Sequence, residues 1–220
     1  MRFVFVFVML AAGLMAADKR VLFNGKNLEG WEKHGDGVWS VVPDGILMGL
    51  HSTPDNKPFG AWPVTERQYR TWKNQQAWLY TRDEFGEYDL HVEYWLPPGG
   101  NSGVSIRDGS RGDKSYGIED QITPAHIGYE IQIIDEPKSK YPTGSIYTFV
   151  AAPDGVQKSG EWNQLDIESR NAMIRVRLNG RVVAEHAGDL KRSKRGPIGL
   201  QLHDRFSLIL FRNITILEVR

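Results

Sequence analysis

The feature that most constrains this chain is a period of two, repeated in short runs between turn residues from Lys19 to the end. In "EYDLHVEYWLPPGG", Leu90, Val92 and Tyr94 share one parity, and the run stops where Pro97 and Pro98 have no N–H to give a ladder. "MIRVRLNGRVVAEH" alternates Ile174, Val176 and Leu178 with arginines, turns at Asn179-Gly180 and continues through Val182 and Val183, a strong hairpin signal. "VWSVVPDGILMG" places two strands around Pro43-Asp44-Gly45, and "GPIGLQLHD" and "FSLILFRNITILEV" add more. Outside the N-terminal segment no stretch sustains a helical period, and there are no internal repeats or linkers. Roughly a dozen short strands with turns between them predict an all-β sandwich of two antiparallel sheets. Such sandwiches commonly exceed 200 residues as one domain, so residues 18–220 are read as a single unit.

Charge narrows the function. Of 220 residues, 27 are Lys or Arg and 27 Asp or Glu, so the formal charge is zero. A nucleic-acid binder would normally carry a basic excess, and none is expected here. The opening "MRFVFVFVMLAAGLMAADKR" has a positive Arg2, an apolar run over Phe3–Met15 and small residues at Ala16 and Ala17. That is the pattern of an export signal over residues 1–17, and the run is shorter than the roughly 20 residues of a membrane span. The mature chain is therefore expected in a bacterial periplasm or outside the cell, with no integral span. The absence of cysteine excludes a lipid anchor on a thiol, disulfides and thiolate chemistry.

Chemistry concentrates in "GYEIQIID". On a strand Tyr129, Ile131 and Ile133 face one way, and Glu130 and Gln132 project side by side the other way. They line either a site or the wet face of an edge strand. In "GLQLHD", Gln201 and His203 share parity with each other against Leu200 and Leu202. Asn101 opens a strand between glycines that permit close backbone approach. Glucanases of similar sandwiches carry E-x-D-x-x-E, where this chain has Glu130, Gln132 and Asp135. A retaining glycosidase needs two carboxyls about 5–5.5 Å apart. Gln132 is not a carboxylate, and Asp135 falls on the opposite face unless a bulge shifts it. No H-x-H or H-E-x-x-H spacing occurs among the six histidines, although Glu130 and His203 could share a divalent ion across strands. Two long polar segments, His51–Gln76 and Asp108–Ile127, carry aromatic and acidic residues and read as ordered loops roofing a pocket.

Several blocks in order, "VLFNGKNLEGWE", "EYDLHVEYWLPPGGNSGVSIR", "GYEIQIID", "TGSIYTFVAA", "GEWNQLDIESRNAMIRVRLNGRVV", "GPIGLQLH" and "FRNITI", resemble the 3-keto-disaccharide hydrolase, or 3-keto-glucoside 1,2-lyase-like, family. The resemblance spans nearly all of Val21–Glu218 and implies a concanavalin A-like jelly roll acting on glycosides oxidised at carbon 3. It implies Glu130 and His203 as catalytic groups, with Asn101, Gln132, Tyr147 and Gln201 holding the sugar, and leaves metal use open. Leu202 and Asp204 depart from the acidic residue and glycine that the family often carries around the equivalent of His203. Two other readings stand beside this one. A lectin-like module would bind sugar without turnover, and a direct glucanase would need a second carboxylate such as Asp135, Glu119 or Asp120.

Overall fold

The computed structural model describes residues 19–51, 65–112 and 124–219. Its elements are β1 (Lys19–Val21), β2 (Trp31–His34), β3 (Gly37–Val42), β4 (Ile46–His51), α1 (Glu66–Lys73), β5 (Ala77–Thr81), β6 (Tyr88–Trp95) and β7 (Asn101–Ile106). They continue with α2 (Pro124–Ile127), β8 (Tyr129–Ile134), β9 (Trp162–Arg170), β10 (Met173–Leu178), β11 (Arg181–His186), β12 (Ile198–Leu202) and β13 (Leu208–Glu218). One sheet runs β11-β10-β9-β6-β13-β4-β3, with β1 also on β13. The other runs β2-β5-β12-β7-β8. Every pairing in both is antiparallel, giving the expected two-sheet jelly-roll sandwich.

Local chemistry fixes the turns. Asn179 and Gly180 both have positive φ, at 51° and 80°, as a two-residue type I′ hairpin requires, and they join β10 to β11. Between the sheets, Leu90, Val92, Leu165, Ile167, Ile174, Val176 and Phe211 from the larger sheet meet Leu79, Val104, Ile106, Ile131, Leu200 and Leu202 from the smaller. These side chains are essentially fully buried, each contributing about 1.5–3 kcal/mol of apolar burial. Truncating one, as in Leu200→Ala, should cost about 2–5 kcal/mol, because its neighbours only partly collapse into the space.

The helices correct the sequence reading, which expected only loop between His51 and Gln76. Thr65 and Gln68 form a capping box, with Gln68 N donating to Thr65 Oγ1 at 3.2 Å and Thr65 N donating to Gln68 Oε1 at 2.8 Å. At eight residues α1 is too short to display an apolar period, so its only sequence signal is the Thr-x-x-Gln at its start. α2 is a single turn at the end of the second long segment. The segment expected to be an export signal, and residues 52–64 and 113–123 with Phe59, Trp62, Tyr116, Glu119 and Asp120, lie outside the described residues.

Four strands of the smaller sheet, β5, β12, β7 and β8, are buried on both faces, which positions the site. β8 ends the hydrogen-bonded order of that sheet, yet its outer edge is not free. The chain returns along it, with Gly144 N donating to Gln132 O at 2.9 Å, Gln132 N to Ser145 O at 3.0 Å and Tyr147 N to Glu130 O at 2.9 Å. Glu130 and Gln132 are each only 5% exposed, so the idle wet-face reading of "GYEIQIID" fails.

Candidate active site

On the face turned away from the core, register aligns two rows of side chains. Tyr80 pairs with Gly199, Gly199 with Ser105, and Ser105 with Glu130. In the next row Trp78 pairs with Gln201, and Gly103 with Gln132. Two glycines make space in these rows. A Cβ at Gly103 would stand 2.8 Å from Glu130 Oε1 and 3.2 Å from Gln201 Oε1. A Cβ at Gly199 would lie 2.3 Å from the Tyr80 ring, so that ring rests directly on the backbone of β12.

A cavity of about 580 Å³ opens over this face. Its lining includes all six residues singled out from the sequence: Asn101, Glu130, Gln132, Tyr147, Gln201 and His203. Glu130 and Gln132 come from β8, Asn101 from the start of β7 and Gln201 from β12, while His203 stands just beyond the end of β12. Tyr147 comes from the segment returning along β8. The sequence reading missed Gln76, Lys140, Tyr141 and Thr148, which also line the wall, with Ile134 and Ser139 beside them. Tyr141 packs edge-on against Tyr147, with ring centroids 5.2 Å apart. Nothing local in the sequence signals this pair, which depends on the return of the chain along β8.

Burial dominates the electrostatics. It pushes the Glu130 carboxyl up to about 7, against the opposing pull of the His203 charge and the Gln201 amide. Gln201 stands near enough to favour the carboxylate, yet neither of its polar atoms closes a hydrogen bond of normal geometry. Burial also raises Tyr147, with the negative charges of Glu130 and Tyr141 adding to it. Asn101 Oδ1, Gln132 Oε1, both polar atoms of Gln201 and His203 Nδ1 are buried without a hydrogen-bond partner among the described residues. Buried polar atoms are normally satisfied, so a cluster of such atoms around one cavity suits a polyhydroxylated ligand.

Asp135 lies elsewhere. The β7–β8 register runs without a bulge, and Asp135 instead accepts from Ser159 Oγ at 2.7 Å, Gly99 N at 3.1 Å and Gln157 Nε2 at 3.2 Å. Glu130 is therefore the one carboxylate among the described residues lining the cavity. Among the described residues, no group of three or more His, Asp or Glu side chains is arranged to hold a metal ion. Glu130 and His203 would give a divalent ion two ligands, and substrate or solvent oxygens would have to complete its shell.

A two-sheet jelly roll with an amide-lined cavity over one sheet is the architecture of the concanavalin-like class. Residues 18–217 match the model of the 3-keto-alpha-glucoside-1,2-lyase-like domain, and the chain belongs to that family. A Parabacteroides distasonis structure, provisionally designated a glycosyl hydrolase, is 27% identical, with TM-score 0.67 over 92% of this chain and all of the other. A Bacillus licheniformis β-glucanase shares the fold at 11% identity and TM-score 0.53, over 93% of this chain and 99% of its own. The carbohydrate-binding module CBM66 from Bacillus subtilis shares it at 14% identity and TM-score 0.51, over 86% and 96%. No curated protein matches the sequence.

Proposed function

We propose that this protein is an exported enzyme that cleaves 3-keto-glycosides by base-assisted 1,2-elimination, with or without subsequent hydration. One observation carries the reading. Among the described residues, the cavity holds a single buried carboxylate, Glu130, whose pKa is raised to about 7. A direct retaining glycosidase needs two carboxyls, whereas proton abstraction beside a ketone needs one base. A base titrating near neutral pH combines a useful deprotonated fraction with strength as a proton acceptor.

A ketone at carbon 3 acidifies the hydrogen on carbon 2. Glu130 takes that proton, and the electron pair of the broken C–H bond moves onto the carbon 3 oxygen as an enediolate. Collapse of the enediolate forms the C1–C2 double bond and breaks the bond from C1 to the aglycone oxygen, which His203 protonates as it leaves. Water added across the double bond, with hydroxyl to C1 and a proton to C2, makes the net reaction a hydrolysis. Asn101, Gln132 and Gln201 supply amide groups for the enediolate oxygen and ring hydroxyls, and Tyr147 closes the side of the cavity. A preorganised donor to a developing oxyanion contributes about 10²–10³ in rate.

The test compares a 3-keto-glucoside with its unoxidised parent, using wild type and Glu130→Ala, with and without chelator. Turnover of the keto substrate alone, lost in the variant, supports the proposal, and the chelator arm reports metal use. Cleavage of the parent sugar would point to direct hydrolysis. Sugar binding without turnover of either substrate would make the protein a binding module.

A further inference from the structure

We propose that Asp204 is a positioning residue that fixes the tautomer of His203 and aims its other nitrogen into the cavity, an inference that rests on the elimination reading for its catalytic consequence. His203 Nδ1 is buried and has no hydrogen-bond partner among the described residues. Asp204 Oδ2 stands 3.7 Å from it, at ion-pair range and slightly beyond a hydrogen bond. Contacts of this kind are often long before substrate arrives and shorten in the reactive complex.

The two oxygens of Asp204 have separate tasks. Oδ1 accepts from Phe206 N at 2.9 Å and lies 3.3 Å from Ser207 Oγ, closing the turn that follows β12. Oδ2 is left for the imidazole. The turn itself is held on three sides. Ser207 Oγ donates to the Asn101 carbonyl of β7 at 3.1 Å and accepts from Asp204 N at 3.0 Å. Arg205 N donates to Lys73 O at the end of α1, at 2.9 Å. The Arg205 guanidinium pairs with Asp36 and Gln75, and Asp36 also meets His51 Nδ1 at 2.9 Å. Asp204 therefore approaches His203 from a fixed position.

A carboxylate can only accept, so it selects the His203 form with a proton on Nδ1. Nε2 is then the nitrogen that gives its proton to the leaving oxygen and remains as a lone pair afterwards. The carboxylate also stabilises the imidazolium that must be present before the transfer. Asparagine at this position would keep its oxygen on Phe206 N–H and turn its NH₂ toward Nδ1. That arrangement forces the opposite tautomer and removes the charge while preserving the turn.

The test uses the full chain, labelled with ¹⁵N-histidine, and long-range ¹H–¹⁵N correlation at alkaline pH, with His203→Gln to assign the signal. Wild type should show Nδ1–H at His203, and Asp204→Asn should show Nε2–H with unchanged thermal stability. Turnover of the 3-keto-glucoside should fall about 10²-fold in kcat at unchanged KM, the lower end of what a positioned acid supplies. Asp204→Ala, which also loses the turn acceptor, should lose kcat and stability together. The same tautomer in wild type and Asp204→Asn, or wild-type kcat in Asp204→Asn, would overturn the proposal. Absence of turnover in every protein would count against the elimination reading alone, and the tautomer would still decide the role of Asp204.

Discussion

Replacing Glu130 with Gln should make the protein more stable at alkaline pH while removing its activity. Burial lifts this carboxyl from 4.5 to about 7, so the folded state holds the proton more tightly than the unfolded state does. The sign follows directly. Stability from this group is fully present below about pH 4.5 and is lost as pH rises through about 7, because folding must then keep a carboxylate out of water. At 1.36 kcal/mol per pH unit, the ionised group costs the fold about 3 kcal/mol above pH 7. Glutamine has nearly the same shape and no charge, so Glu130→Gln escapes that cost. In a domain of this size about 3 kcal/mol corresponds to roughly 6–12 °C in Tm. Thermal unfolding of the two proteins, run in parallel at pH 4 and pH 8.5, isolates the effect, since the other titrating groups are common to both. The variant should melt higher at pH 8.5, with the gap closing at pH 4. A gap independent of pH, or one that widens in acid, would show that Glu130 is not held ionised against burial and would refute the argument for a tuned base.

Three further outcomes follow from the same geometry. On a 3-keto-glycoside, kcat/KM should fall tenfold per unit on the acid side of about pH 7, because protonated Glu130 cannot accept the carbon 2 proton; a limb near pH 4.5 would place the base elsewhere. Gly103→Ala should leave the fold intact but displace the Glu130 carboxylate, whose Oε1 would lie 2.8 Å from the new methyl group, and lower kcat by up to about 10². Unchanged kinetics in that variant would mean that the position of Glu130 is not critical. Gly199→Ala drives a methyl to 2.3 Å from the Tyr80 ring and should cost about 1–3 kcal/mol in urea denaturation.

The strands of the larger sheet were legible because one face is wet. In β6 and β10 burial alternates strictly, and the sequence alternates with it. β5 reads "AWLYT" and is buried at every position, so no alternation marks it, and it was not assigned from sequence. The site residues were legible for a related reason. Glu130 with Gln132, and Gln201 with His203, keep period two on strands whose other face is plainly core. Parity alone said that each pair shares a face, and antiparallel register then brought the pairs together. Tyr141, Thr148 and Gln76 were not legible, because their place depends on what lies against the far edge of β8 and at the start of β5. Asp135 illustrates the limit of spacing arguments. It lies close to Glu130 in sequence, yet one change of parity assigns it to Ser159, Gly99 and Gln157 instead.

The two-sided burial of β5, β7, β8 and β12 also gives the proposed base, a single carboxylate, its tuning. A base on a loop would be solvated and would titrate near the ordinary carboxylate value. On β8, Glu130 is backed by Tyr129, Ile131 and Ile133 in the core and hemmed in on its own face by Gln201 and the chain returning over Tyr147. That enclosure favours glycine at the diagonal position on β7, since a Cβ at position 103 would stand 2.8 Å from the Glu130 carboxylate. The same enclosure leaves neutral groups, Ser105, Gln132 and Gln201, as the near polar neighbours of Glu130 on the sheet, and these neither repel the carboxylate nor pin it as a cation would. His203 is the exception, and it sits beyond the end of β12 on a turn with its own counter-charge in Asp204. The proposed base lies within the sheet and the proposed acid on a braced turn at its edge, so burial raises the first while Asp204 stands beside the second.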